Sequence, residues 1–172
     1  MTKHQIKWQH FPKNVRPSEG LELVLESFGL VVDSFSSHEF EYESNNVLAK
    51  VRPALEQRGF KVESSKKSDG KISLPVLFGV NGKVEKSFEA DAFHENFKVI
   101  VEVEAGRAIS NWQILKDLFE SCVVTDAEYL AIAVRQVYKT SKDFDKAVAL
   151  FETLDASDRL KLPLKGILIV GY

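Results

Sequence analysis

From Pro17 onward, Leu21, Val24, Leu25, Phe28, Val31, Val32 and Phe35 recur at three- and four-residue steps, which predicts a helix that Gly29 can split in two. Ser36 followed by Glu39 has the form of a capping box and predicts a second helix, with Phe40, Val47, Val51, Ala54 and Leu55 inward and Pro53 as a kink or break. Glu39 lies at the start of that helix, and Glu43 and Asn46 lie beside its buried face. Gly59 ends it, and residues 64–71 form a polar loop. Extended runs follow at Ile72 to Val80, where Pro75 implies an edge or a bulge, and at Val84 to Phe93, joined by the hairpin signal Asn81-Gly82. A third extended run spans Lys98 to Arg107. A helix then begins at Ser110 or Asn111, with Trp112, Leu115, Leu118, Phe119 and Cys122 inward. The run around Tyr129 to Val134 is apolar on both faces, Ser141 caps another helix, and Gly166 to Val170 ends the pattern as a buried strand. Residues before Pro17 take no assignment. The order is α-α-β-β-β-α-β-α-β, an α/β fold with a three-layer mixed β-sheet flanked by helices, antiparallel first and parallel later.

At 172 residues the chain is long enough for one domain with a full core. No apolar run reaches the roughly 18 residues of a membrane span, so no membrane association is expected. The first residues lack the apolar core of a secretion signal, and Cys122 is the only cysteine, which leaves no disulfide or cysteine-based zinc site and suits a reducing cytoplasm. The net charge of −2 conceals segregation. Residues 1–18 carry four bases and no acid, residues 19–49 seven acids and no Lys or Arg, and residues 50–86 nine bases against four acids. Such blocks suit a phosphate-binding surface beside a cation-binding one, and equally suit solvated faces.

The candidate chemistry lies in Val99-Ile100-Val101-Glu102-Val103-Glu104. Side chains alternate across a strand, so Glu102 and Glu104 share one face and the valines take the other. Desolvated carboxylates need compensation, from Lys98, Arg107 or Lys116 at the strand end or from a divalent cation. With an even number of residues in the turn around His94, Asp91 joins the same face. Magnesium prefers oxygen ligands and needs only one or two carboxylates beside water and substrate phosphate. Asp91, Glu102 and the carbonyl of Val103 form such a set, with Glu104 placed to orient a water or hold a second ion. Arg107, beside Gly106, is a candidate phosphate contact or an ion-pair partner of Glu104 or Glu120. Lys66, Lys67 and Lys71 are candidate backbone contacts or solvated lysines. Trp112 is expected in the core and His94 in a turn.

Asp91 in Phe88-Glu89-Ala90-Asp91, with Glu102 and Glu104 on the following strand, resembles the restriction-endonuclease-like PD-(D/E)xK nucleases. The resemblance covers residues 37–138, with 1–36 as an N-terminal segment and helix and 139–172 as a C-terminal helix and strand of the same domain. Asp91 matches the family's first acid and Glu102 its second, and Glu43 or Glu39 matches the further acid many members carry on the preceding helix. Ala90 replaces the nominal proline and Glu104 the nominal lysine. The resemblance implies a metal-dependent DNA endonuclease, possible type II restriction enzymes included, using Mg2+ with Mn2+ as substitute, acting on DNA as a homodimer. The alternative is a non-catalytic nucleic-acid or protein interaction module on a degenerate nuclease scaffold.

Overall fold

The computed structural model describes residues 3–106, 108–157 and 159–172. Its elements are β1 (Lys7–Phe11), α1 (Glu19–Val31), α2 (Ser44–Glu56), β2 (Lys61–Val62), β3 (Ile72–Phe78), β4 (Val84–Ala90), β5 (Ala92–His94) and β6 (Val99–Glu104). They continue with α3 (Gln113–Val123), β7 (Tyr129–Val134), α4 (Asp143–Ala156) and β8 (Gly166–Gly171). Six strands form a mixed sheet in the order β1-β8-β7-β6-β5-β2, and β3 and β4 form a separate two-stranded ribbon. β6, β7 and β8 run parallel, whereas β1, β5 and β2 are antiparallel to their neighbours.

Strand alternation sorts the core into two layers. Val99, Val101, Val103, Ala131, Ala133, Leu168 and Val170 face the cluster with α1 and α2, where Leu21, Val24, Phe28, Val47, Val51 and Leu55 are fully buried. Ile100, Leu130, Ile132, Val134, Ile167 and Ile169 face the cluster with α3 and α4, where Ile114, Leu118, Ala147 and Phe151 pack. The expected helix–sheet–helix layering is therefore present. On the first face Phe28 meets Phe35 edge-on at 5.9 Å, and Phe35 meets Tyr172 edge-on at 5.5 Å.

Several local expectations are corrected. The opening segment that took no assignment is an edge strand, because Lys7 to Phe11 pair with Gly171 to Ile167. The second helix starts at Ser44 rather than Ser36. Glu39 and Phe40 bond back to the Ser36 carbonyl in a turn, and the Ser37 hydroxyl, bonded to the Tyr172 carbonyl and accepting the Gln136 amide at 3.0 Å, ties that turn to the sheet. A tertiary contact here overrides a capping signal. Ser141 bonds the side chain of Asp143 instead of capping α4, whose N-cap is Lys142. The Asn81-Gly82 turn matches expectation, with φ of 59° and 73° at the two residues, and the ladder is irregular at Pro75. The single strand expected from Val84 to Phe93 is two strands in two sheets, broken at Asp91.

Ile132 lies on the central strand, pairs with both Glu102 and Ile169, and is fully buried. Ile132→Ala should cost about 2–5 kcal/mol of folding free energy. Urea unfolding followed by circular dichroism checks this through a lower midpoint at unchanged slope.

Candidate functional site

Asp91 stands where the chain leaves the ribbon for the main sheet. Ala90 pairs with Ile72 of β3, and Ala92 pairs with both Val62 of β2 and Val101 of β6. One further step along both registers sets Glu63, Asp91 and Glu102 in a row across three strands, and the Glu63 amide donates to the Asp91 carbonyl at 2.7 Å. Opposed residues point to the same face, so the four-residue turn 95–98 delivers the even spacing that brings Asp91 to Glu102 and Glu104. β5 does not reach far enough to pair with Val103. Asp91 takes its place, accepting the Val103 amide through Oδ2 at 2.8 Å. The amide and carbonyl of one strand residue point the same way, so the Val103 carbonyl also faces the acids.

Helix α3 closes the other wall. Its sheet-facing stripe is Ile114, Asp117, Leu118 and Ser121, so Asp117 is only 4% exposed. Trp112 and Phe119, expected in the core, are 60% and 63% exposed, because α3 presents Asp117 to the sheet instead. Gln113 Nε2 donates to Asp117 Oδ1 at 3.3 Å, whereas Asp117 Oδ2 is buried with no donor. Together these groups line a cavity of about 200 Å³ with Ser44, Glu63, Glu89, Lys116 and Glu120. Lys116, the one base lining it among the described residues, is ion-paired to Glu120 at 3.2 Å.

Crowding and burial raise the affinity of these acids for protons. Burial, with repulsion from Glu63 and Asp117, pushes Asp91 up to about 7 despite the Val103 amide. Burial and the charges of Asp91, Asp117 and Glu104 hold Glu102 well above the usual carboxylate range. Glu104 rises to about 8 through burial and its contact with Asp117. Asp117 rises to about 6, burial outweighing the help of Glu104, Lys116 and Gln113. Among the described residues no three His, Cys, Asp or Glu side chains converge as ligands of one metal ion. The donor set is nevertheless all oxygen, and a hard cation that keeps several waters needs only one or two of these carboxylates.

The expected Asp91, Glu102, Val103 and Glu104 thus share one cavity. Glu43 does not line it. It is the N-cap residue of α2, exposed, and its neighbour Ser44 lines the cavity instead. Glu39 pairs with Lys3 and His4. Lys71 binds Glu89 at 2.5 Å on the cavity's edge, Lys66 and Lys67 are exposed in the loop, and Arg107 lies outside the described residues. His94, expected in a turn, is buried in β5 against Phe60 and Phe97. Sequence reasoning missed Glu63, whose strand has two residues and no periodicity to show, and Asp117. Asp117 was detectable, since it sits on the helical stripe of Ile114, Leu118 and Ser121.

No protein-family model, curated protein or solved structure matches the chain.

Each raised carboxyl binds its proton more tightly folded than unfolded. It therefore favours the folded state fully below its ordinary value of 3.8 or 4.5, and that contribution is lost as pH rises through folded values of about 6 to 8. In metal-free buffer the melting temperature should fall between pH 5 and pH 8.5, and Asp91→Asn should flatten the fall. A melting temperature that rises over this range, or the same fall in the variant, contradicts the assignment.

Proposed function

We propose that this protein is a metal-dependent DNA endonuclease that hydrolyses phosphodiester bonds, built on a restriction-endonuclease-like core and acting in the cytoplasm as a homodimer. The observation that carries this reading is that Asp91, Glu102 and Glu104 line a single cavity at the end of the main sheet, with mutually raised proton affinities. Asp91, Glu102 and the Val103 carbonyl would hold Mg2+, or Mn2+ in its place. A bound cation supplies polarisation of the scissile phosphate and a more acidic water. Asp91 is oriented by the Val103 amide, and Glu104, two residues beyond Glu102 on the same face, is placed to take a proton from the attacking water. Burial keeps the affinity of Glu104 for that proton high.

A second cavity, of about 150 Å³, shares Glu63 with the acidic one and is lined by Asn45, Arg52, Ser64 and Lys66. Arg52 Nε has no hydrogen-bond partner there. Basic and hydroxyl groups beside a cation site suit the phosphates flanking a scissile bond. A non-catalytic interaction module on the same scaffold is the second reading, favoured by Glu104 standing where the nuclease motif has lysine.

Incubation of the protein with supercoiled plasmid and linear DNA, in Mg2+, Mn2+ or chelator, separates the two. Metal-dependent cutting, lost in Asp91→Ala and Glu102→Ala with circular dichroism unchanged, is expected. Binding without cutting, indifferent to metal and to both substitutions, would establish the interaction module instead.

A further inference from the structure

We propose that the outward face of α3 is where two copies of this chain associate, helix against antiparallel helix about a two-fold axis. The inference deepens the proposed function by assigning the surface through which its dimer forms, and rests on that reading only for what the paired cavities act on. It starts from a misfit between α3 and its surroundings. The helix packs Ile114, Leu118 and Ser121 on the sheet, yet carries a second apolar ridge away from it, where Trp112, Phe119 and Val123 are 60%, 63% and 39% exposed. Leu115 and Cys122 flank that ridge, half-buried. Positions 112, 115, 119 and 122 follow one another at steps of three, four and three, the spacing of a seam between two helices. Trp112 caps the helix in the left-handed region, at φ 55° and ψ 25°, a conformation a bulky residue holds only at a cost, and its ring is nonetheless left in water. Single exposed apolar residues need no explanation, whereas aromatic rings aligned along one helix face mark an interface.

The charges beside the ridge indicate what covers it. Lys116 and Glu120 lie along its edge, paired with each other at 3.2 Å and placed two residues either side of Leu118, the midpoint of α3. A two-fold axis at that midpoint lays an antiparallel copy alongside so that the Lys116 of each chain meets the Glu120 of the other. At the 8–10 Å spacing of packed helices, about the reach of these side chains, both pairs form. A helix of another protein would need its own acid and base at matching positions, whereas a second copy supplies them by symmetry. Gln113, Lys116 and Glu120 also line the acid cavity, and an axis perpendicular to both helices keeps the two cavities on one side of the seam. Two helix widths, roughly 20 Å, then separate them, a placement that sets one cavity against each strand of a duplex. The seam is short for a permanent dimer, so association is reversible and depends on concentration.

Sedimentation velocity of the full chain in chelator, from micromolar to submillimolar concentration, tests the surface without using activity. The wild-type protein should pass from monomer to dimer over this range. Phe119→Glu, a change at an exposed position, should weaken association at least about thirtyfold. Lys116→Glu and Glu120→Lys should each weaken it about tenfold, because the two-fold axis turns either reversal into two like-charge contacts, and the double exchange should restore it. A wild-type protein that is monomeric at every concentration, a dimer untouched by Phe119→Glu, or a double exchange that associates no better than the single reversals would each overturn the seam. Should Phe119→Glu fail to fold by circular dichroism, the charge exchange decides alone. Dimerisation that Phe119→Glu abolishes, in a protein that cuts no plasmid, would leave the seam standing and remove the nuclease reading.

Discussion

Asp91, Glu102, Glu104 and Asp117 line one cavity in which burial and mutual repulsion raise their proton affinities, and among the described residues no base is ion-paired to any of them. In a partly desolvated cavity that repulsion opposes folding unless protons or cations offset it. Every element near the site contributes to maintaining it. The sheet fixes Glu102 and Glu104 on one face of β6, the transfer of the chain between sheets places Asp91 opposite, and α3 drives Asp117 in from the other layer. A protein that bore this arrangement for packing alone would be more stable with amides or aliphatic residues at the same positions.

The scaffold can sustain the repulsion because its core is indifferent to it. Both faces of β7 and β8 are buried under two helical layers, and the interlocked rings of Phe28, Phe35 and Tyr172 fill the side away from the acids. Tyr172 connects the two regions, its ring packed in that cluster and its hydroxyl on the Glu104 carbonyl. The end of β6 is thereby fixed from the apolar side while its carboxylates face the polar one.

Much of this was legible in the chain. The parallel strands announce themselves as apolar runs, the Asn81-Gly82 turn is specified by its two residues, and alternation through Val99 to Glu104 separates the acids from the valines. What escaped the sequence depended on contacts distant along it. Lys7 to Phe11 become a strand only because β8 offers an edge, and the Ser36 capping signal yields to Ser37 bonding Tyr172 and Gln136. The break at Asp91 is invisible to periodicity, since β4 and β5 continue the same alternation into different sheets. Asp117 was obscured by the assumption that the large residues Trp112 and Phe119 mark the buried face of α3. The helix buries an acid and exposes two aromatic rings, a local rule broken where the site requires it.

Whether the acid cavity takes up cations is measured most directly by thermal melting at pH 8. The comparison is chelator against increasing Mn2+ at matched ionic strength, for the wild-type protein and for the Asp91→Asn, Glu102→Gln double variant. A ligand that binds only the folded state stabilises it by RT ln(1 + [L]/Kd), so the wild-type melting temperature should climb with Mn2+ while that of the double variant stays nearly level. An unchanged wild-type melting temperature, or an equal rise in both proteins, would contradict a cation site at these carboxylates.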